Sequence, residues 1–221
     1  MSKRTVVVIG GHRPHRTVLQ HAALQGVDIV ICADSGFDHA VELGLRPDVV
    51  VGDLDSIADP SAPVAFGARI LAADTDKDHT DTELALEHAL AVGSAEVTVV
   101  WGGGDRVDHV LGVFAALAAP ALGRLDRLTV LLGPDVVHVV HGGRRLSIDT
   151  EIGSTVSLLS LSGTALGVTT TGLRWPLHDD DLHDWRARGV SNVAVDRSVS
   201  VRVESGVVAV VVNDEGTERE R

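Results

Sequence analysis

The stretch Pro47-Asp48-Val49-Val50-Val51-Gly52-Asp53-Leu54-Asp55-Ser56 decides the fold. Three consecutive valines, stiff and β-branched, run into a glycine and two aspartates. Residues 49–51 predict a short buried strand. Gly52 tolerates positive φ, so the chain can turn sharply there. Asp53 and Asp55 are two residues apart and fall on the same side of an extended segment. Two carboxylates therefore stand together at the end of a strand, which is the edge where open α/β sheets bind ligands. Two unit charges about 4 Å apart repel by roughly 4 kcal/mol at an effective dielectric of 20. A cation relieves that repulsion, and hard oxygen ligands suit Mg2+. The competing reading is a solvated acidic turn in which Asp55 or Ser56 caps the next segment of chain.

Working outward on the N-terminal side, residues 6–9 predict a first buried strand. Gly10-Gly11 then makes a loop, and residues 17–24 predict a helix. The glycine pair lacks both the Gly-x-Gly-x-x-Gly and the Walker spacings, so a plain strand-to-helix turn is the expectation. Residues 28–33 predict a second strand, followed at once by Asp34-Ser35-Gly36, again a carboxylate just past a strand. Residues 37–43 predict a short helix closed by Gly44.

Beyond the central stretch, residues 59–68 read as loop, and Asp74 to Asp81 is dense in carboxylates. Thr80-Asp81-Thr82-Glu83 matches a capping box and opens a helix with Ala85, Leu86, Ala89 and Leu90 on one face. Asp81 then sits at the positive end of the helix dipole. A further strand over residues 96–101 runs into Gly102-Gly103-Gly104-Asp105-Arg106-Val107-Asp108-His109 and a helix over 110–118. Three glycines permit close backbone approach, amides at a helix start suit phosphate, and Arg106 can fork onto phosphate oxygens. A flexible turn with Asp108 as N-cap explains the same residues equally well. Residues 128–132 close this half as a fifth strand.

From Gly133-Pro134 onward, alternating apolar segments recur between glycine and polar breaks, over residues 136–141, 144–148, 155–161, 165–169, 199–203 and 207–212. No helical period appears, so this half predicts a small antiparallel β-domain. His138 and His141 are expected as surface or strand residues. His178-Asp179-Asp180-Asp181-Leu182-His183-Asp184 is expected as an acidic solvent loop rather than a metal cluster. The fold class is thus α/β. Residues 1–133 form a mostly parallel sheet with flanking helices, and 134–221 a small antiparallel, sandwich-like β-domain.

Composition narrows the function classes. The chain has 221 residues, 44% of them hydrophobic and only 3% aromatic, so its core rests on Val, Leu and Ala. A net charge of −12 argues against a nucleic-acid partner, which wants a basic face. One cysteine, Cys32, excludes an intrachain disulfide and a cysteine zinc cluster, and fits a reducing cytoplasm. No apolar stretch approaches the ~20 residues needed to span a membrane, and no signal peptide is evident.

The acidic and glycine-rich loops together resemble those of thiamine pyrophosphokinase. The family's Gly-Asp-x-Asp-Ser turn stands here at residues 52–56, its Asp-x-Thr-Asp turn at 78–81, and its Gly-Gly-Arg-x-Asp-His turn at 104–109. Asp34 resembles the acidic residue after the family's second strand. Gly172-Leu173-Arg174-Trp175-Pro176-Leu177 and Gly189-Val190-Ser191-Asn192 resemble its thiamine-side segments. There are two departures: Asp105 replaces a glycine, and Val113 stands where asparagine is common.

The resemblance implies transfer of diphosphate from ATP to the hydroxyl of thiamine, with AMP leaving, in a cytoplasmic homodimer. Residues 1–133 would bind ATP and Mg2+, and 134–221 would contribute the thiamine site. Asp53, Asp55 and Asp81 are the implied Mg2+ ligands. Lys77, Asp78, Thr80, Gly104, Arg106 and His109 would lie on the ATP side. Asp34 or Asp108 would orient the hydroxyl or take its proton, and metal coordination by either stays open. Trp175, Ser191 and Asn192 would build the thiamine site, in a dimer completing that of the partner chain. A flat cationic ligand suits an indole face. Alternatives are a related Mg2+-dependent diphosphotransferase acting on another alcohol, such as a hydroxymethyl pterin, and a non-catalytic thiamine or nucleotide sensor.

Overall fold

The computed structural model describes residues 2–72, 78–104 and 106–213. Its contacts divide the chain into two compact units, residues 1–116 with 124–133, and residues 117–123 with 134–221.

The first unit is a six-stranded sheet with every neighbouring pair parallel. Its strands are β1 (Lys3–Val8), β2 (Ile29–Ala33), β3 (Val49–Gly52), β4 (Arg69–Ala72), β5 (Ser94–Trp101) and β6 (Arg127–Leu132), in the order β6-β5-β1-β2-β3-β4. Central strands are apolar without alternation because both faces are covered: Val6, Val7, Val8, Ile31, Val50, Val99 and Val130 are buried. The helices are α1 (Gly36–Glu42), α2 (Ala62–Ala65), α3 (Asp81–Ala91) and α4 (Val107–Leu117). Chain order reverses between β1 and β5, which makes that gap the topological switch point.

The loops after these two strands meet there backbone to backbone. The His12 N–H donates to the Gly103 carbonyl at 2.8 Å. A Cβ on Gly11 would strike the Gly103 carbonyl, and one on Gly102 would strike the His12 carbonyl. Close approach therefore accounts for those glycines.

The second unit holds two four-stranded antiparallel sheets. Its strands are β7 (Asp135–His141), β8 (Arg144–Asp149), β9 (Thr155–Ser160), β10 (Ala165–Thr171), β11 (Asp180–Leu182), β12 (Asn192–Val193), β13 (Ser198–Val203) and β14 (Val207–Asn213). One sheet runs β12-β9-β14-β7 and the other β11-β10-β13-β8. Inward side chains of both, among them Val156, Leu158, Val168, Val199, Val201 and Val210, share one core.

Three local expectations change. Residues 17–24 form two 3-10 turns, Arg16–Gln20 and Ala22–Leu24, instead of one helix. The His15 and His21 rings accept the Thr17 and Ala23 amides at 3.4 and 3.1 Å, and extended backbone at His21 breaks the helix. Within the expected loop over 59–68 lies α2, and β4 follows it, a half-exposed edge strand with no alternation to betray it. The acidic stretch over 178–184 contains β11, with Leu182 buried and Asp180 paired to Arg188 at 2.9 Å. His138 and His141 lie in β7, as the strand half of their expectation has it, and both are buried.

Candidate active site

Because the strands of the first unit are parallel, the segments after β1, β2, β3 and β5 leave the same edge of the sheet. Asp34 follows β2 directly. Its φ of 46° is left-handed, a conformation Asp and Asn tolerate better than most residues, and its amide is tied to the Val51 carbonyl at 2.8 Å. Asp53 follows β3, and its Oδ1 accepts the Asp55 amide at 3.2 Å. Between them Leu54 takes φ 67°, which tightens the turn. The Ser56 hydroxyl donates to Asp55 Oδ1 at 2.8 Å. Asp34, Asp53 and Asp55 each bring a carboxylate oxygen within 4.8 Å of the other two.

Gly52, at φ 143°, explains how the group closes. A Cβ there would stand 3.3 Å from Asp34 Cβ and 3.3 Å from Asp81 Cγ. The missing side chain lets Asp34 and Asp81 approach the end of β3 from two sides. Asp81 is the first residue of α3, at the positive end of its dipole. Thr80 and Glu83 form the expected capping box: the Thr80 hydroxyl accepts the Glu83 amide at 3.2 Å, and Glu83 Oε2 accepts the Thr80 amide at 2.7 Å.

Electrostatics separate the two carboxylates proposed for proton handling. Asp34 is half-buried, its Oδ1 is enclosed without a hydrogen-bond partner among the described residues, and burial pushes its carboxyl above the usual range. Asp81 and Asp55 push it the same way, while hydrogen bonding from Ser56 and the Ser35 amide pulls back. Asp108 is exposed in the first turn of α4, held by Arg106 through Nη2 at 2.6 Å and Nε at 3.2 Å. That fork, helped by the His109 amide at 3.0 Å, holds its carboxyl below the usual range. Asp108 lies inside the helix, not at its N-cap.

The structure thus gathers Asp34, Asp53, Asp55 and Asp81 around Gly52. It keeps Arg106, Asp108 and His109 together behind β5, two strands from β2 in sheet order. Asp78 is exposed just ahead of α3, and the Thr80 hydroxyl is engaged in its cap. Lys77, expected on the phosphate side, and Asp105 lie outside the described residues. The sequence offered Asp34 for the hydroxyl and left metal coordination open, and the structure sets it beside Asp53 and Asp55. The signal for the cluster was its place directly after a strand beside β3.

A buried carboxylate oxygen without a partner, amid three further carboxylates, suits a hard divalent cation such as Mg2+. The requirement is oxygen ligands and charge neutralisation, and both are met.

In the second unit, Trp175 is 57% exposed, presented and not packed in the core. The Arg174 guanidinium lies 5.6 Å from its ring centroid. Asn192 is buried, and its amide grips the Trp175 backbone. Its Oδ1 accepts the Trp175 N–H at 3.1 Å, and Nδ2 donates to the Trp175 carbonyl at 2.7 Å. Ser191 is exposed at φ 60°, its amide tied to the Ser157 hydroxyl at 3.0 Å.

Fold and site define an α/β protein with a carboxylate cluster of the kind that holds a hard cation, followed by a separate all-β unit. Comparison with known proteins gives this class a family. Residues 21–126 match the family "Thiamin pyrophosphokinase, catalytic domain", and residues 144–208 match "Thiamin pyrophosphokinase, vitamin B1 binding domain". The chain belongs to the thiamine pyrophosphokinase family. A curated relative, thiamine pyrophosphokinase 1 of Oryza sativa subsp. japonica, is 27% identical over 207 residues, covering 80% of this chain and 76% of its own. The crystal structure of thiamine pyrophosphokinase from Bacillus subtilis shares the fold, with a TM-score of 0.79 at 20% identity over 95% of this chain and 98% of that one. That from Geobacillus thermodenitrificans has a TM-score of 0.76 at 23% identity, over 95% and 96%.

Proposed function

We propose that this protein transfers a diphosphate group from ATP to the primary hydroxyl of thiamine, giving thiamine diphosphate and AMP. The thiamine oxygen forms a bond to the β-phosphorus. The bond between that phosphorus and the oxygen bridging it to the α-phosphorus breaks, and AMP leaves with the bridging oxygen. The hydroxyl proton passes to a carboxylate or to solvent. Such transfer needs positioning and charge neutralisation more than covalent help from the protein.

The observation that carries the reading is the convergence of Asp34, Asp53, Asp55 and Asp81 on Gly52 at the ligand-binding edge of a parallel sheet. We assign Mg2+ to Asp53, Asp55 and Asp81, with Asp34 completing the set. When bound, the ion neutralises the triphosphate and polarises the transferred phosphorus. Arg106, Gly104 and His109 are assigned to the phosphates at the start of α4, with Asp78, Thr80 and Lys77 on the same ligand. Arg106 forks onto Asp108 and can exchange that partner for phosphate oxygens. Of the two carboxylates considered for the thiamine proton, Asp34 is given to the cation, and Asp108 is held below the usual range by Arg106, a hold that is released when Arg106 turns to phosphate. Trp175 and Ser191 are assigned to thiamine, the indole meeting the cationic, flat ligand.

We further place the protein in the cytoplasm as a homodimer, with residues 1–133 as the ATP domain and 134–221 as the thiamine domain. The two alternatives gain no support. All the acids that a sensor could dispense with are retained, and the match over residues 144–208 favours thiamine over a pterin alcohol. The test is incubation with thiamine, ATP and Mg2+, with separation of the nucleotide products. AMP with thiamine diphosphate is expected; ADP with thiamine monophosphate as the only products would refute the reading.

A further inference from the structure

We propose that Asn192 is the positioning residue of Trp175, and that it fixes the indole without touching substrate itself. The inference rests on reading Trp175 as a thiamine contact.

The antiparallel pairing that should hold this segment runs out just before the tryptophan. Leu173 bridges Ala194, and the Arg174 amide donates to the Val193 carbonyl at 2.9 Å. The next rung would be Trp175, but Pro176 follows it and has no N–H to continue a ladder. A side chain takes over. The Asn192 amide accepts from the Trp175 N–H and donates to the Trp175 carbonyl, as a backbone unit of a partner strand would.

Asn192 is itself well fixed. It pairs with Val156 across β12 and β9, and the residue before it is pinned through the Ser157 hydroxyl.

Its hydrogen-bonding capacity is largely spent. Oδ1 accepts twice, from the Trp175 amide at 3.1 Å and the Val193 amide at 2.9 Å, and one Nδ2 hydrogen goes to Trp175. An amide oxygen has two lone pairs, so Oδ1 has nothing left for a ligand donor. The side chain is also buried, at 6% exposure, beside an indole that is 57% exposed. A large exposed ring on an unpaired segment would have to be ordered when ligand binds, at a cost in affinity. Asn192 meets that cost in the free protein. Aspartate cannot replace it, because a carboxylate oxygen would face the Trp175 carbonyl at the place where Nδ2 donates. Glutamine is one methylene too long for a rung of this length.

The test is a double-substitution cycle on the intact enzyme, measuring KM for thiamine and for ATP separately. Asn192→Ala should raise the thiamine KM about three- to ten-fold with little change for ATP, the scale of losing one or two hydrogen bonds. In a Trp175→Ala background it should add less than about 1.5-fold, because its effect passes through the ring. Undiminished thiamine loss in that background would mean direct contact and overturn the proposal. Asn192→Asp keeps the volume and both accepted bonds, so it serves if the alanine variant does not fold, and should raise the thiamine KM in the same way.

A second readout does not depend on thiamine. In Trp185→Phe the remaining indoles are buried Trp101 and exposed Trp175. There Asn192→Ala should lower fluorescence anisotropy and increase acrylamide quenching, and unchanged values would overturn the positioning role. An unchanged thiamine KM in Trp175→Ala would instead overturn the thiamine assignment and leave the spectroscopic result standing.

Discussion

Replacing Asp34 with asparagine should stabilise the metal-free protein and disable the enzyme. The carboxylate oxygens of Asp34, Asp53 and Asp55 lie within 4.8 Å of one another. Full charges at that separation repel by about 0.9 kcal/mol in bulk water and about 3.5 kcal/mol at an effective dielectric of 20. Asp53 and Asp55 are exposed, so the lower figure governs, and removing the Asp34 charge relieves two such pairs, about 2 kcal/mol in all. Asparagine keeps the size of the side chain and suits the φ of 46°. For a chain of this length each kcal/mol moves the melting temperature by about 2–4 °C, so a rise of about 4–8 °C is expected in EDTA. Turnover with Mg2+ and ATP should fall about a hundredfold or more, equivalent to about 2.7 kcal/mol of lost transition-state stabilisation. Thermal melting with and without metal, beside steady-state turnover, measures both. A destabilised metal-free protein with near-normal activity would refute the reasoning, because Asp34 would then be a structural residue whose charge the fold requires.

Asp81→Asn should reduce turnover by a similar factor with the fold intact, and excess Mg2+ should recover part of the loss. Recovery of none, with melting lowered, would make Asp81 a helix-dipole residue only. Gly52→Ala places a methyl 3.3 Å from both Asp34 and Asp81 on a backbone that disfavours side chains. It should cost about 1–3 kcal/mol of stability by melting and raise the Mg2+ concentration for half-maximal activity about tenfold. Stability should also fall in mild acid. Burial of His141, helped by Arg144, holds its ring below the ordinary value of 6.5, and its Nε2 is enclosed without a partner among the described residues. A group with a depressed folded value stabilises the neutral form, so its contribution is full above pH 6.5 and declines as pH drops below it. His21 and His88 shift in the same direction, also by burial. His141→Gln should flatten the melting profile between about pH 7.5 and 5.5, and an unchanged slope would show that the ring binds protons equally well in the folded and unfolded protein.

The strands of both units were legible where burial imposes a pattern. Continuous valines at residues 6–8 and 49–51 mark strands covered on two faces, and the alternation at 199–203 marks one covered on a single face. The capping box at Thr80 was legible because its two hydrogen bonds need only residues three apart. What escaped lacks such a signature. β4 is an edge strand with one neighbour, β11 is three residues long and acidic, and the turns over residues 16–24 are set by histidine rings acting as caps. Asn192 could be read from the sequence as a polar residue near a tryptophan, but not as its clamp. A separation of 17 positions along the chain hides that contact until the chain is folded.

The glycine loops show how far such reading reaches. From sequence, phosphate contact and simple turning explained Gly102-Gly103-Gly104 equally well. In the fold the two explanations divide along the chain. Gly102 packs against the His12 carbonyl, and the Gly103 carbonyl accepts the His12 amide, so the first two glycines are occupied in joining the loops after β5 and β1. Gly104 is different: a Cβ there would meet the Val110 side chain at 3.5 Å and the Arg106 carbonyl and Trp101 ring at 3.8 Å, all ordinary contacts. Close packing therefore does not explain a glycine at 104. Its backbone leads into Arg106 and the first turn of α4, where amides point outward and a helix dipole favours anions. The phosphate contact proposed for Gly104 would give a reason for the missing side chain that the protein's own described contacts do not.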